Sequence, residues 1–420
     1  MSIPTQAEIV IVGGGAIGCA IAYHLAKLGK KDVLLLEQAQ LTHGATWHAA
    51  GLVGQMRTSR NLTRMMQYSA GLYTALEAET GQATGWHGVG SLRVAASKER
   101  WAELQRNAAL AKSFGLPMEL LSPAEAGKLF PIMYLAGIVG GAFIPTDGYV
   151  DPASVTQAMA IGARRGGVAI REQVRVTGLR IEGRRVAGVT TDRGAVRCEA
   201  VVNAGGMWGR AIGRMAGVAV AVCAVEHQYL VTEKIDGLPR ELPTFRDPDG
   251  RYYVKPEVGG LAFGGWEDNT RPFGRGGIPH PFAAELLPPD FDRFEPLGDA
   301  AAHRLPVLAQ AGVKTMINGA IPITADGEPV MGKAPGLDNF YLCCGFTSGI
   351  AAAGGAGRAM AAWIAEGDPG LDLGELDPRR FADLGESEDA LYERAIHAYA
   401  NYYALSAPPA SPRPSEPSPA

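Results

Sequence analysis

Glu8-Ile-Val-Ile-Val12 is a short, apolar, β-branched run that leads directly into Gly13-Gly-Gly15-Ala-Ile-Gly18. A central parallel strand has this composition, because both of its faces are covered. The spacing then predicts an apolar helix from Ala16 to about Leu28, stopped by Gly29, and a second strand from Asp32 to Glu37. Strand, glycine turn, helix, strand and terminal acid follow in the order of a dinucleotide-binding βαβ unit. Gly13 permits the tight turn, Gly15 lets a pyrophosphate approach the backbone, and Gly18 lets helix pack on strand. The helix N-terminus presents N–H groups and a positive dipole end to the phosphates. Glu37 can accept both ribose hydroxyls and would repel a 2′-phosphate. The motif alone does not separate FAD from NAD.

At 420 residues the chain can form two or three domains or one large composite unit. A hydrophobic share of 47% against 20% charged residues supports a sizeable core. The formal charge of −4 comes without blocks of like charge, which points to no nucleic acid and no anionic membrane. Cys19, Cys198, Cys223, Cys343 and Cys344 contain no C-x-x-C, so they read as reduced thiols with no zinc site. Ile9 to Ala26 has no Lys, Arg, Asp or Glu, a length that could cross a bilayer. Its four glycines, His24 and the lack of a preceding Lys or Arg argue for a buried strand-turn-helix instead. With no Arg-rich transit peptide either, the expected location is the cytoplasm.

After Glu37 the chain enters Leu41-Thr-His-Gly-Ala-Thr-Trp-His-Ala-Ala-Gly51-Leu-Val, small residues around two histidines and a Trp. Small side chains allow close approach to a flat ring system. Thr46-Trp47-His48-Ala-Ala-Gly51-Leu resembles the flavin-attachment segment of the dimethylglycine/sarcosine dehydrogenase family, within the D-amino-acid-oxidase-like amine oxidoreductases. In that family the matching His is bonded to the flavin 8α-methyl, so the resemblance implies FAD held covalently through His48. A neutral imidazole nitrogen is a competent nucleophile for that bond. His43 reads as a solvated loop residue, and the two histidines lack the companions of a metal site.

The resemblance continues through Tyr68-Ser-Ala-Gly-Leu-Tyr73 and Gly90-Ser-Leu-Arg-Val94. Ser97 to about Phe114 reads as a helix stopped by Gly115, and Ser122-Pro-Ala-Glu125 as a capping box. Asp151-Pro152 opens a helix to Arg165, and Val168-Ala-Ile170 is a strand. Folds of this type offer backbone near Val174 to the adenine. Glu199-Ala-Val-Val202 is a further strand, and the glycines after it, Gly205 among them, meet the dinucleotide again.

Val225 to Thr232 alternates like a strand, and Tyr252-Tyr253-Val-Lys255 and Gly259 to Glu267 extend the sheet. In the family the matching His and second Tyr line the substrate pocket, which makes His227 and Tyr253 the catalytic candidates. Tyr252 would face the opposite side of the strand. Lys255 or Arg57 could pair with a substrate carboxylate, but such residues are more often surface charges, and neither is taken as a site residue. Near the C-terminus, Asn339 to Cys344 is a strand and Gly345-Phe-Thr-Ser348-Gly349-Ile350 opens a helix from Ala351 to about Glu366. That turn aims N–H groups at whatever lies beyond it; for a flavin the target is the edge that gathers charge on reduction.

The resemblance spans Glu8 to Tyr403 and stops before the folate-binding half of the two-part members. Six prolines fill the final fifteen residues, a composition expected of a disordered tail. The expected fold is α/β, and α+β overall: a glutathione-reductase-type FAD-binding Rossmann domain with an inserted antiparallel-β substrate domain. Residues 1–90, 145–222 and 320–385 are assigned to the FAD domain and residues 91–144 and 223–319 to the substrate domain. A C-terminal helix is expected over 386–404, with the tail over 405–420. The implied reaction is oxidation of a small N-methylated amine such as sarcosine or dimethylglycine, giving formaldehyde. Oxygen, an electron-transfer flavoprotein or a quinone would reoxidise the flavin. Alternatives are an amino-acid oxidase with non-covalent FAD, or a flavin-bearing subunit whose folate-binding partner is a separate chain.

Overall fold

In the computed structural model, described for residues 3–384 and 387–405, most strands belong to two large sheets. In the first, Phe340–Cys344, Gly194–Asn203, Gln6–Val12, Val33–Leu36 and Ala169–Arg171 run parallel in that order. Val330–Lys333 adds an antiparallel edge, and the hairpin Val176–Glu182/Arg185–Thr191 extends Gly194–Asn203. Alternation along the central strands splits the interior in two. Ile9, Ile11, Val33 and Leu35 enter one core, while Val10, Val12, Leu34 and Leu36 enter the other. The apolar segment from Ile9 to Ala26 is therefore the first strand and helix of this layer. Among the described residues no helix is long and apolar enough to cross a membrane.

Helices Ala16–Lys27, Pro152–Arg165 and Gly349–Glu366 contribute to one of these cores together with Arg60–Thr80. Glycines allow the tight helix contacts. A Cβ on Gly357 would lie 2.5 Å from the Ala20 Cβ, and one on Gly355 would lie 2.2 Å from the Met65 carbonyl oxygen.

Local signals set the helix ends. Ser97 Oγ accepts from the Arg100 N–H at the start of Lys98–Phe114, and Gly115 closes it at φ 72°. Ser122 and Glu125 form both arms of a capping box at Pro123–Leu129. Asp151 Oδ1 accepts from the Ser154 N–H at 2.7 Å, ahead of Pro152–Arg165. One helix begins earlier than its residues suggest: Gly349–Glu366 has Ser348 as N-cap, so Gly349 and Ile350 already lie in the first turn.

The second sheet has nine strands, including Val222–Thr232, Gly260–Gly265, Tyr252–Glu257, Thr244–Asp247 and Ser91–Ala95 in neighbouring positions. Its pairings are antiparallel apart from Thr244–Asp247 against Ser91–Ala95. One face packs on the helix Phe291–Arg304 and buries Tyr252. Val313–Thr324 pairs with Val222–Thr232 along its length, so the expected division at 319–320 falls inside one unbroken strand. The C-terminal helix is Glu388–Ala400, and it packs Leu391, Tyr392, Ala395 and Tyr399 into the core that borders Val222. The expected boundary at 385–386 and the Pro-rich tail from 406 onward lie outside the described residues.

Candidate active site

A cavity of about 440 Å³ takes its wall from both large sheets. Its first end is the glycine turn. Gly13 sits at φ 114°, where a Cβ would lie 2.4 Å from the Ala204 carbonyl oxygen, so only glycine makes this turn. Gly15 is open to the cavity. Its Cβ would meet only Thr46 Oγ1, at 3.1 Å. The following helix has no side-chain cap from Gly15; Thr46 Oγ1 instead accepts the Ala16 N–H at 3.1 Å. Glu37 closes the turn from the other side: Oε2 accepts the Gly14 N–H at 2.7 Å and Oε1 the Ala39 N–H at 2.8 Å. Burial raises the Glu37 carboxyl pKa, and these bonds oppose the rise. Each oxygen keeps a further lone pair for a ribose hydroxyl. The Val174 N–H is already donated to the Glu37 carbonyl, which leaves the Val174 carbonyl for a ligand.

Gly13, Gly15, Glu37, Thr46, His48, Val174, Gly205, His227, Tyr253, Gly345, Ser348, Gly349 and Ile350 all line this cavity. Gly18 and Trp47 do not. Gly18 packs the helix on its strand, where a Cβ would lie 1.9 Å from the Gly13 carbonyl oxygen. Trp47 stands edge-on to His48, and its buried Nε1 has no hydrogen-bond partner. The turn at Gly345 has φ 78°, and the helix it opens also lacks a side-chain cap. Two helix N-termini thus face one elongated cavity, together with a glycine cradle and an acid at the end of the second strand. That donor set fits an adenine dinucleotide carrying a second ring system.

His48 is buried on the wall, and burial lowers its pKa to about 4. The imidazole is therefore neutral at ordinary pH, the state in which its nitrogen can act as a nucleophile. Space for the ring comes from Gly319, whose Cβ would lie 2.3 Å from His48 Cε1.

His227 and Tyr253 meet in this cavity, with His227 Nε2 2.9 Å from Tyr253 Oη. Tyr399, from the C-terminal helix, reaches His227 Nδ1 at 2.8 Å. Burial first, then the neighbouring His48 and Arg293, lower the His227 pKa to about 3. Burial likewise pushes both tyrosines well above the usual phenol value. The Tyr402 ring stacks on Trp266 at 3.8 Å, and its hydroxyl meets Ser348 Oγ at 3.0 Å. Sequence reasoning missed this contribution of the last helix; the run of tyrosines from Tyr392 to Tyr403 was its one signal.

It also missed Arg93 and Arg246, which line the cavity. Arg57 lines it too, whereas Lys255 does not and pairs with Glu257 Oε2 at 2.6 Å. Cys343 and Cys344 reach the wall, but burial pushes both thiols up, Cys344 to about 12, so neither is a thiolate. Among the described residues no three His, Cys, Asp or Glu side chains converge as a metal site.

The sequence model described as FAD dependent oxidoreductase matches residues 8–363, and the one described as FAD dependent oxidoreductase central domain matches residues 366–415. The mitochondrial dimethylglycine dehydrogenase of Rattus norvegicus is 39% identical over 384 residues, covering 90% of this chain and 45% of its own length. The 4-methylaminobutanoate oxidase (formaldehyde-forming) of Paenarthrobacter nicotinovorans is 36% identical, covering 96% of this chain and 49% of its own length. The chain thus spans about half the length of these curated relatives. Among solved structures, L-proline dehydrogenase from P. horikoshii superposes with a TM-score of 0.81 at 26% identity, covering 91% of this chain and 99% of that one.

Proposed function

This chain belongs to the FAD-dependent oxidoreductase family, and on that premise we propose that it oxidatively demethylates an N-methyl amino acid of the dimethylglycine or sarcosine type. The observation that carries the reading is the hydrogen-bonded pair His227–Tyr253 in the same cavity as the neutral His48 and the glycine turn. The names of the two curated relatives, which act on N-methylated substrates, support the substrate class. FAD, when bound, supplies the two-electron acceptor for a hydride leaving the N-methyl carbon.

In this reading Gly13, Gly15 and the first turn of Ala16–Lys27 hold the pyrophosphate, and Glu37 and Val174 receive the ribose and adenine. The helix turn at Gly345, Ser348, Gly349 and Ile350 would offer its N–H groups to the flavin. His48 would hold the flavin covalently, with Thr46, Trp47 and Gly205 shaping the segment around it. Segments 3–90, 145–222 and 325–384 would make up the FAD domain and 91–144 and 223–324 the substrate domain, because the strand Val313–Thr324 pairs along its length with Val222–Thr232.

The substrate nitrogen must be unprotonated for its lone pair to support loss of a hydride. Tyr253, backed by His227, orients the substrate nitrogen through a hydrogen bond; a raised phenol pKa and a lowered imidazole pKa keep both neutral, so the amine gives up its proton to solvent as it binds. Loss of the hydride leaves an iminium, and addition of water to its carbon releases formaldehyde and the demethylated amine. The reaction would need oxygen, an electron-transfer flavoprotein or a quinone as its final electron acceptor. A folate-binding subunit on a separate chain would capture the one-carbon unit instead. The five unpaired thiols support a reducing compartment such as the cytoplasm.

The test begins with acid precipitation of the purified protein and of His48→Ala. Flavin retained in the wild-type pellet and released from the variant supports attachment at His48. Dimethylglycine and sarcosine are then offered to the wild-type enzyme with an artificial acceptor, and formaldehyde is measured. No formaldehyde from either, in a protein that carries flavin, would overturn the substrate reading.

A further inference from the structure

The helix Gly349–Glu366 has Ser348 as its N-cap, a residue that ordinarily turns its side-chain oxygen onto the N–H of the second or third helical residue. Here it makes no such bond. Ser348 Oγ lies instead 3.0 Å from Tyr402 Oη, 54 residues further along the chain. The first N–H groups of an α-helix have no partner within it, so those of Gly349, Ile350 and Ala351 depend on a cap, on water or on a ligand. All three residues line the cavity.

Tyr402 is held where it is by its own ring and by the turn that carries it. The ring stacks on Trp266 at 3.8 Å, with 16° between the planes. Arg251 Nη2 donates to the Ala400 carbonyl oxygen at 2.7 Å, and Arg100 Nη2 to that of Tyr403 at 2.6 Å. Ala400 closes the helix Glu388–Ala400, whose last carbonyls have no partner within it. Arg100 is itself buried and paired with Glu103 at 2.6 Å. One helix end therefore meets the site twice, through Tyr399 at His227 and through Tyr402 at Ser348.

We infer that Tyr402 is a positioning residue for the flavin-facing turn: by holding the Ser348 hydroxyl it keeps the first-turn N–H groups of Gly349–Glu366 uncapped and available to the flavin edge. The inference goes beyond the demethylation reading and rests only on its placing of this turn toward the flavin. N–H groups aimed at that edge favour the form that carries negative charge. Without the Tyr402 hydroxyl, Ser348 Oγ is free to accept from Ile350 or Ala351, and one donor is withdrawn from the flavin. The reduced form is then less stabilised, and the flavin potential falls.

The test is a reductive titration of the flavin-loaded protein with dithionite beside a reference dye. Tyr402→Phe keeps the ring on Trp266 and removes only a hydroxyl, on a residue that is 39% exposed. At a fixed solution potential its ratio of reduced to oxidised flavin should fall by about threefold or more. In a Ser348→Ala background the same change should have no effect, because no hydroxyl remains to cap the helix. An equal fall in both backgrounds would assign the effect to the cavity wall and overturn the inference. A Tyr402→Phe potential equal to that of wild type would overturn it too. A second readout needs no flavin. In protein produced without riboflavin, amide hydrogen exchange over residues 349–351 should slow in Tyr402→Phe, as Ser348 caps the helix. Unchanged exchange there overturns the inference even for a variant that holds no flavin. No amine enters either measurement. A Ser348-dependent fall in a protein that yields no formaldehyde from dimethylglycine would keep this inference and remove the demethylation reading.

Discussion

Tyr399 Oη lies 2.8 Å from His227 Nδ1 while Tyr253 Oη lies 2.9 Å from Nε2, so one imidazole is clamped between two phenols. With a pKa near 3 the ring is neutral and carries one N–H and one lone pair. One tyrosine must therefore donate to it and the other accept. Tyr399 Oη also lies 3.5 Å from the Gly265 carbonyl oxygen, and Tyr399 is not among the residues that line the cavity. Its part is to position His227 and fix the tautomer that Tyr253 meets.

Replacing Tyr399 with Phe leaves Nδ1 buried without its partner. The expected result is a loss of about tenfold in kcat/KM for dimethylglycine, with full flavin content. Tyr253→Phe should cost about a hundredfold or more, because the group beside the reacting nitrogen is gone. Steady-state kinetics over pH 6–10 separate the two roles. A Tyr399→Phe profile identical to wild type in height and shape would remove Tyr399 from the positioning of His227.

The pH dependence follows from the same burial. The His227 pKa falls from its ordinary value near 6.5 to about 3, so the ring gains no proton until the pH falls to about that point. The acid limb expected in kcat/KM above pH 5 is that of the substrate ammonium, and activity rises as that proton leaves. N-methyl amino acids of different amine basicity should shift the limb in step with their own pKa values. A limb fixed near 6.5 for every substrate would assign it to a histidine and contradict the burial argument.

What the sequence made legible divides along contact range. Ser97, Ser122, Asp151 and the Gly13–Gly18 turn act on neighbours a few residues away, so their caps and turn could be read directly. His227 and Tyr253 could be nominated singly, by resemblance, but not their bond. Arg93 gave no signal of its own. It becomes a cavity residue only because Ser91–Ala95 pairs in parallel with Thr244–Asp247, a register that no local pattern encodes. Tyr399 likewise depends on where the helix Glu388–Ala400 docks. Trp47, adjacent to His48 in sequence, meets the His48 ring edge-on and is absent from the cavity lining, an arrangement set by how the segment folds rather than by sequence neighbourhood.

Gly319 is the partner of His227 across the sheet and clears the space that the His48 ring fills. Gly319→Ala would bring a methyl group within 2.3 Å of that ring, which has to move. The expected outcome is a folded protein, destabilised by about 1–3 kcal/mol, with little acid-stable flavin. Thermal melting and the flavin content of acid pellets check both parts. Wild-type amounts of acid-stable flavin would separate the attachment from the His48 position.

The contact between Arg60–Thr80 and Gly349–Glu366 offers a paired stability test. Gly355 meets the Met65 backbone at 2.2 Å from a hypothetical Cβ, and rigid main chain cannot yield as a side chain can. Gly355→Ala should lower stability by about 1–3 kcal/mol, by forcing two packed helices apart. Gly71, on the exposed face of Arg60–Thr80, has nothing within 4 Å of the same position. Gly71→Ala should instead stabilise the fold by about 0.5–1 kcal/mol, through helix propensity alone. Denaturant melts of the two variants against wild type decide it. Both changes stabilising the fold would mean that helix propensity, rather than interhelical distance, governs these glycines.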